Sequence, residues 1–222
     1  ILAFEEMNSA PPSVLAACYQ VVHDRRIGEF ELGENVVIFG MGNHETDRGV
    51  TYNMPTPLDN RFTHYNAVHS FADWQKWAIL NNKNPEVIGF LTAFPDRLFG
   101  FNPKKSRRGF ETPRSWIRLG NIIDKTEGNG LILDNVTMLP IAVGTVGQGS
   151  GSLFTEHRKK VKNLPSSEDI LTGRVKKLAN KVDASLAFTL TTTLLSILNQ
   201  ESAQLDSKGI SDPTSKERKI WY

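Results

Sequence analysis

The chain has 222 residues, of which 39% are apolar and 23% charged, and this composition excludes wholesale disorder. A net charge of +2 gives no support for nucleic-acid or membrane binding. The single cysteine, Cys18, excludes an intrachain disulfide and a cysteine-cluster metal site. The longest apolar stretch, Ala184 to Leu198, is shorter than the roughly 20 residues of a membrane-spanning helix. We therefore expect a soluble, cytoplasmic protein.

The first 70 residues have an α/β pattern. Ile1 to Phe4 and Val36 to Met41 are short, continuous apolar runs, typical of strands buried on both faces. A helix is predicted from Pro12 to Asp24, capped by Ser9, with an apolar face made of Val14, Cys18, Val21 and Val22. The stretch from Arg25 to Leu32 contains a glycine and alternating apolar residues, which indicates a short hairpin.

From Ser70 onward the pattern is helical. Helices are expected to begin at Ser70, Asn84-Pro85, Thr112-Pro113 and Ser167, and a last helix is predicted from Val182 to Gln200. The glycine-rich stretch Gly144 to Gly149 lacks a lysine, so we interpret it as close packing and a turn. The predicted organisation is a partial core at residues 1–69, a helical domain at 70–200 and a flexible tail at 201–222.

Polar side chains follow each of the two predicted strands. Glu5 and Glu6 follow the first strand, and Gly42-Asn43 follows the second. Ligands bind at the carboxyl ends of parallel strands, and two carboxylates there can hold a hydrated Mg²⁺ ion. An amide from the neighbouring strand can orient a water or contact a phosphate. The alternative is that the two glutamates form only a solvated turn before the helix.

Two arginines extend this set. Arg61 lies just before the helical part of the chain, and Arg114 lies in the first turn of a predicted helix. A guanidinium group is always charged and offers a planar fork of donors, which suits phosphate oxygens. Either arginine alone is also compatible with an ordinary surface salt bridge. The order of acidic pair, strand-end asparagine, and two arginines is the more specific signal.

This ordered set resembles AAA+ ATPases of the MoxR-like, dynein-related group, over roughly residues 1 to 125. Ile1 to Glu6 resembles the Walker B strand, and Gly42-Asn43 resembles the end of the sensor 1 strand. The other matching segments are Arg25 to Leu32, similar to the hairpin insert of this group, Leu58 to Phe62, similar to the arginine-finger segment, and Thr112-Pro113-Arg114, similar to sensor 2.

The resemblance implies a fold and a set of roles. The fold would be the C-terminal part of a P-loop NTPase core, a parallel sheet with flanking helices, followed by an all-α lid. Glu6 would be the general base that activates water, and Glu5 would help to hold Mg²⁺. Asn43 would position the water near the γ-phosphate. Arg61 would act as an arginine finger in a neighbouring subunit, and Arg114 would contact phosphate from the lid.

The resemblance also implies activity and partners. The full-length protein would bind and hydrolyse ATP with Mg²⁺ as a ring-forming, chaperone-type ATPase, a homo-oligomer with hexameric rings. It would remodel or assemble partner proteins, and a protein with a von Willebrand factor A domain is one such partner in this group. Neither a membrane nor a nucleic acid is an expected partner.

The sequence departs from the family pattern in two ways. Glu5 stands where the family usually has aspartate, which changes the reach of the carboxylate. No G-x-x-x-x-G-K-[ST] loop occurs in the chain. In the family this loop precedes the Walker B strand. We therefore expect the chain to be truncated just before Walker B and to be inactive alone. A degenerate, nucleotide-free interaction module is the alternative, and a DNA-directed motor is a weaker third one.

Overall fold

The computed structural model describes residues 1–43, 51–102, 104, 108–176 and 183–207. The chain divides into two compact units. Unit 1 comprises Ile1–Val68 and Asn102–Lys105, and unit 2 comprises His69–Phe101 and Ser106–Tyr222. Each unit has its own hydrophobic core. Residues 208–222 of the predicted tail and Val182, the predicted start of the last helix, lie outside the described residues.

Unit 1 contains short strands and short helices. Strand β1 (Leu2–Phe4) is followed by a 3₁₀ turn and helix α1 (Pro12–Tyr19), which continues as a π-helical turn through Asp24. Strands β2 (Arg26–Ile27) and β3 (Phe30–Glu31) form an antiparallel pair, so the predicted hairpin is confirmed. Strand β4 (Ile38–Gly40) pairs with β1 in parallel, and helix α2 spans Thr56–Asp59.

The α/β fold with a P-loop-type parallel sheet is wrong for this chain. The described residues form only one two-stranded parallel sheet and one two-stranded antiparallel sheet, and helix accounts for 58% of the structure. The prediction of strands buried on both faces is wrong too, because Phe39 is 51% exposed and Ile1 is 90% exposed. The physical reason is that the parallel sheet of the described residues has just two short strands, and two short strands offer too little surface for other elements to cover both faces.

The buried face of α1 and its π-helical continuation agrees with the predicted one at Cys18, Val21 and Val22 and differs from it at Val14. Leu15 is fully buried, whereas Val14 is 52% exposed. Cys18, Tyr19 and Val22 pack against the same core, at the helical spacing that follows from Leu15. Val14 and Leu15 are adjacent and both apolar, so the apolar spacing of the sequence is compatible with a buried face that begins at either residue. Ser9 does not cap α1 either, since Pro11 occupies the N-cap position without a side-chain hydrogen bond.

All the regular secondary structure of unit 2 in the described residues is helical, with a 3₁₀ turn at Pro95–Arg97. Three of its predicted helix starts are confirmed by side-chain caps. Ser70 Oγ accepts from Asp73 N–H, Asn84 Oδ1 from Val87 N–H, and Thr112 Oγ1 from Ser115 N–H. The helices are α3 (Phe71–Leu80), α4 (Pro85–Ala93), α5 (Pro113–Gly128), α6 (Asn135–Val146), α7 (Gln148–Lys162), α8 (Ser167–Leu171) and α9 (Ala184–Ser207).

Helices α6 and α7 were not predicted, and they meet at the glycine-rich stretch. Gly147 separates them with a φ of 91°, a left-handed conformation that favours glycine. A Cβ at Gly151 would lie 2.5 Å from Val143 N, so the two helices approach closely there. The interpretation of the stretch from Gly144 to Gly149 as packing and a turn is confirmed at Gly147, whereas Gly144 and Gly149 lie within α6 and α7 with free space at their Cβ positions. Helix α9 also extends to Ser207, beyond the predicted end at Gln200.

The core of unit 2 is built around Phe90 of α4. Its ring centroid lies 5.3 Å from that of Trp116 and 5.3 Å from that of Phe154, so helices α4, α5 and α7 meet there. All three rings are fully buried. Trp116 Nε1 donates to the backbone carbonyl of Arg97 at 2.7 Å, which satisfies the buried indole N–H.

A buried arginine joins three segments of unit 2. The guanidinium of Arg158 lies 2.5 Å from Glu86 Oε2 and 2.6 Å from Glu127 Oε1, and it donates to the Leu133 carbonyl at 3.0 Å. Burial alone would raise the pKa of Glu127, but the hydrogen bond and charge of Arg158, with Lys162, outweigh it and lower that pKa. A carboxyl with a lowered pKa stabilises the fold above its unfolded value of 4.5, and this contribution is lost as the pH falls through the lowered pKa.

Replacing Glu127 should therefore weaken unit 2 in a pH-dependent way. Glu127→Gln is expected to lower the free energy of unfolding by about 1–2 kcal/mol at neutral pH, because a charged partner of buried Arg158 is lost from a partly exposed pair. The Glu127→Gln variant should also lose less stability than the wild-type protein when the pH falls below about 4.5. Tryptophan fluorescence can follow unfolding, since Trp74, Trp77 and Trp116 belong to unit 2. The exposed Glu156 on α7 supplies the control, Glu156→Gln, which should leave both quantities unchanged.

Candidate functional site

The carboxyl ends of β1 and β4 lie side by side. The strands pair in parallel, with Leu2 opposite Ile38 and Phe4 opposite Gly40. Beyond the strands, Met41 N–H donates to the Phe4 carbonyl and Met7 N–H donates to the Met41 carbonyl, both at 2.8 Å. These bonds bring the segment containing Glu5 and Glu6 next to the segment containing Gly42 and Asn43. The sequence-based expectation that the two polar groups share one strand edge is confirmed.

Glu6 has an unusual backbone conformation. Its φ of 50° and ψ of 38° place it in the left-handed region, which costs a residue other than glycine about 1 kcal/mol or more. The following 3₁₀ turn stabilises this conformation, since Ser9 N–H donates to the Glu6 carbonyl at 2.8 Å and Met7 is buried. The left-handed conformation of Glu6 turns the chain away from the direction of β1. Both Glu5 and Glu6 are exposed at this bend.

Asn43 is placed by a residue that the sequence analysis did not assign a role. Asn8 Nδ2 donates to the Asn43 carbonyl at 2.6 Å, and Asn43 N–H donates to Asn8 Oδ1 at 3.2 Å. The two residues are 35 positions apart, so no local pattern indicates this contact. The only sequence signal was the position of Asn8, two residues after Glu6 and therefore at the same strand edge.

Arg61 lies just after α2, near the C-terminal end of α1. Its guanidinium carbon lies 5.5 Å from the ring centroid of Tyr19, within the range of a cation–π interaction. Its Nη1 also donates to the Pro57 carbonyl. The arginine is exposed and borders a groove of about 460 Å³ in unit 1. The groove is lined by Ala16, Ala17, Tyr19, Gln20, His23, Asp24 and Arg61.

Arg114 belongs to unit 2 and is an exposed residue of the first turn of α5. The helix start is well defined, because Thr112 and Ser115 form reciprocal hydrogen bonds between side chain and backbone. The guanidinium is therefore carried by a well-defined helix end, where the N–H groups of Thr112 and Ser115 are bonded to side chains and Pro113 has none. The structure thus places the segment of Glu5 and Glu6 beside the segment of Asn43. Arg61 contacts Tyr19 and Pro57, and Arg114 is described within its own unit.

The donor set at the strand edge fits magnesium only when phosphate oxygens complete the shell. The two carboxylates offer hard oxygen ligands, and Mg²⁺ is commonly held by one or two carboxylates together with substrate phosphates and water. Within the described ranges, no group of three or more histidine, cysteine, aspartate or glutamate side chains is arranged to hold a metal. Glu5 and Glu6 alone are therefore fewer than the ligands that a metal site built from protein side chains needs.

No protein-family model, curated protein or solved structure matches this chain. In the part of the chain that the structure describes, no helix is both long and apolar enough to cross a bilayer.

The contact between Tyr19 and Arg61 can be tested directly. Tyr19→Ala should increase the mobility of the Arg61 side chain, because the ring that lies under the guanidinium is removed. Tyr19→Phe keeps the ring and should retain most of the ordering. NMR relaxation of the Arg61 Nε–H group measures this, and Arg26, exposed in the hairpin, serves as an internal reference. Unchanged relaxation of Arg61 in Tyr19→Ala would contradict the contact.

Proposed function

We propose that this chain supplies catalytic residues to an ATP-hydrolysing protein of the MoxR-like AAA+ group. The observation that carries the proposal is the strand edge, where parallel pairing of β1 with β4 brings Glu5 and Glu6 next to Asn43. Two exposed carboxylates beside an amide, at the carboxyl ends of parallel strands, are a suitable arrangement for activating water beside a phosphate. The motif order that continues to Arg61 and Arg114 supports the same reaction.

The two glutamates have different tasks in this proposal. Glu6 accepts a proton from the attacking water, and its exposed carboxylate at a sharp bend can be approached by a nucleotide. Glu5 contributes an oxygen ligand to Mg²⁺, an ion that would neutralise developing charge on the phosphates. Asn43 orients the water. Its amide can both donate and accept hydrogen bonds, as a water-positioning group requires.

The two arginines would act on the phosphates from outside this edge. Arg61 is exposed and borders an open groove, so its guanidinium is accessible to a second copy of the chain. In a homo-oligomeric ring, a hexamer by the resemblance, it would reach the nucleotide of the neighbouring subunit and stabilise transition-state charge. Arg114, at the start of α5, would contact phosphate from the helical unit and couple hydrolysis to its movement.

Nucleotide binding in this proposal needs a lysine-bearing phosphate loop, which the 222 residues do not contain. We therefore assign the ATPase activity to a protein that combines this chain with such a loop. By the same resemblance its work is the remodelling or assembly of partner proteins, with a von Willebrand factor A domain protein as a candidate partner. The proposed compartment is the cytoplasm, where ATP is abundant.

A nucleotide-free interaction module is the second candidate. It is favoured by the exposed apolar residues of unit 1, since Phe39 on β4 and Ile27 and Phe30 on the hairpin are all more than half exposed. Exposed apolar patches mark contact surfaces for other proteins. In this alternative, the strand-edge glutamates are only a solvated turn, and the chain acts through binding alone.

Substitution of the two catalytic candidates tests the ATPase proposal. In the full-length protein, Glu6→Gln should lower kcat for ATP by about 10²–10⁴-fold, the usual contribution of a general base. Arg61→Ala should lower it by about 10³–10⁵-fold, the usual contribution of an arginine finger. Glu34→Gln, at another exposed glutamate of unit 1, is the control and should keep wild-type turnover.

Mixed rings separate action in trans from action within one subunit. Subunits with Arg61→Ala should regain turnover when they are mixed with Glu6→Gln subunits, because each supplies what the other lacks. Wild-type turnover in both single variants would refute the assignment of Glu6 and Arg61 as catalytic residues, and with it the proposal that this chain supplies them. Absence of a G-x-x-x-x-G-K-[ST] loop from the full-length sequence would also refute it and would leave the interaction module.

A further inference from the structure

The side chain of Asn8 is bound to both backbone groups of Asn43. Its Nδ2 donates to the Asn43 carbonyl at 2.6 Å, and its Oδ1 accepts from the Asn43 N–H at 3.2 Å. Such a pair of bonds uses the carboxamide as a backbone substitute, as a neighbouring strand would use its peptide group. Two bonds to one residue fix its position and its orientation. The backbone of Asn43, from which its side chain projects, is therefore held by Asn8.

Gly42 makes this contact possible. A Cβ at Gly42 would clash with Asn8 Oδ1 and would lie 2.8 Å from Asn8 Cγ, closer than such atoms approach in proteins. The φ of Gly42 does not require glycine, since Gly42 is absent from the left-handed glycines of the described chain. Glycine is therefore required at position 42 because Asn8 leaves no room for a Cβ atom there. An alanine there would displace the Asn8 carboxamide from Asn43.

Asn8 also connects these residues to Glu6 and to a third segment. It lies in the middle of the Met7–Ser9 turn that begins directly after Glu6. Its own backbone carbonyl accepts from Tyr52 N–H at 2.7 Å. Displacing Asn43 relative to Glu6 would therefore require breaking side-chain bonds of a residue whose backbone is anchored independently.

We infer that Asn8 is a positioning residue. By bonding the Asn43 backbone, it sets the distance between Glu6, which activates the water, and Asn43, which orients the water. Only glycine at position 42 leaves room for this contact. This inference rests on the proposed ATPase function. Asn8 itself contacts neither nucleotide nor water in this role. It acts through Asn43, so it should govern turnover rather than nucleotide affinity.

A double-substitution cycle between positions 8 and 42 tests the inference. In the full-length protein, Asn8→Ala should lower kcat for ATP by about 10- to 100-fold with KM unchanged, the effect of losing two hydrogen bonds that hold a catalytic group. Gly42→Ala should give a similar loss. The combined variant should be no worse than Asn8→Ala alone, because the carboxamide that the new methyl group displaces is already absent.

Two matched controls accompany the cycle. Asn53→Ala replaces another exposed asparagine of unit 1, and Gly33→Ala replaces a glycine with free space around its Cβ position. Both should keep wild-type kcat and KM. Asn8→Asp is a conservative variant that still accepts from Asn43 N–H but cannot donate to the Asn43 carbonyl. It should give an intermediate kcat.

A second readout does not depend on catalysis. In the 222-residue chain, amide hydrogen exchange of Asn43 N–H should accelerate by about tenfold in Asn8→Ala and in Gly42→Ala, and it should stay at the wild-type rate in Asn53→Ala and Gly33→Ala. Accelerated exchange with intact turnover in Asn8→Ala would overturn the positioning role, provided that Glu6→Gln is inactive. Additive losses in the combined variant, or an equal change in KM, would overturn it as well.

The two proposals fail in different ways. If Glu6→Gln keeps wild-type turnover, the strand edge is not the catalytic site that the proposed function requires, and the positioning role falls with it. If Glu6→Gln is inactive and Asn8→Ala keeps wild-type kcat, only the role of Asn8 is wrong. An unchanged exchange rate of Asn43 N–H in Asn8→Ala would show that the two hydrogen bonds do not hold Asn43.

Discussion

The candidate site depends on the parallel pairing of β1 with β4. Backbone hydrogen bonds from Leu2 N–H to the Val37 carbonyl and from Met41 N–H to the Phe4 carbonyl, each 2.8 Å long, align two segments that are far apart in sequence. Parallel strands present their carboxyl ends at one edge, so the pairing alone brings the acidic pair and the asparagine segment together. Without it, the polar groups would belong to separate loops.

Side-chain packing then refines what the backbone aligns. The carboxamide of Asn8 bonds to Asn43, and the absence of a Cβ at Gly42 leaves room for that bond. Glu6 adopts a left-handed conformation that turns the chain immediately after β1. These features concern one bend of a few residues. They show how a small, largely exposed sheet can still hold polar groups in a defined arrangement, because each backbone segment at the edge is bonded to another.

Unit 2 depends on different physics. Its helices bury rings around Phe90, and the ion pairs of Arg158 with Glu86 and Glu127 join α4, α5 and α7 within the same unit. A buried guanidinium without a charged partner would be strongly unfavourable. Arg158 therefore favours the packing in which α4 and α5 bring Glu86 and Glu127 to α7. The exposed Arg114 belongs to the same α5 helix as Glu127. The core of the unit thereby sets the position of a residue proposed to contact phosphate.

Local patterns in the sequence determined much of this protein. Capping residues set the starts of α3, α4 and α5, glycine marked the hairpin, and apolar runs marked β1 and β4, because these features depend on neighbours within a few residues. The acidic pair and Asn43 were found in the same way. Tertiary structure alone decided the small size of the sheet, the burial of Leu15 in place of Val14 in α1, and the bonds from Asn8 to Asn43. Each depends on segments distant in sequence, whose packing and hydrogen bonding no periodicity encodes.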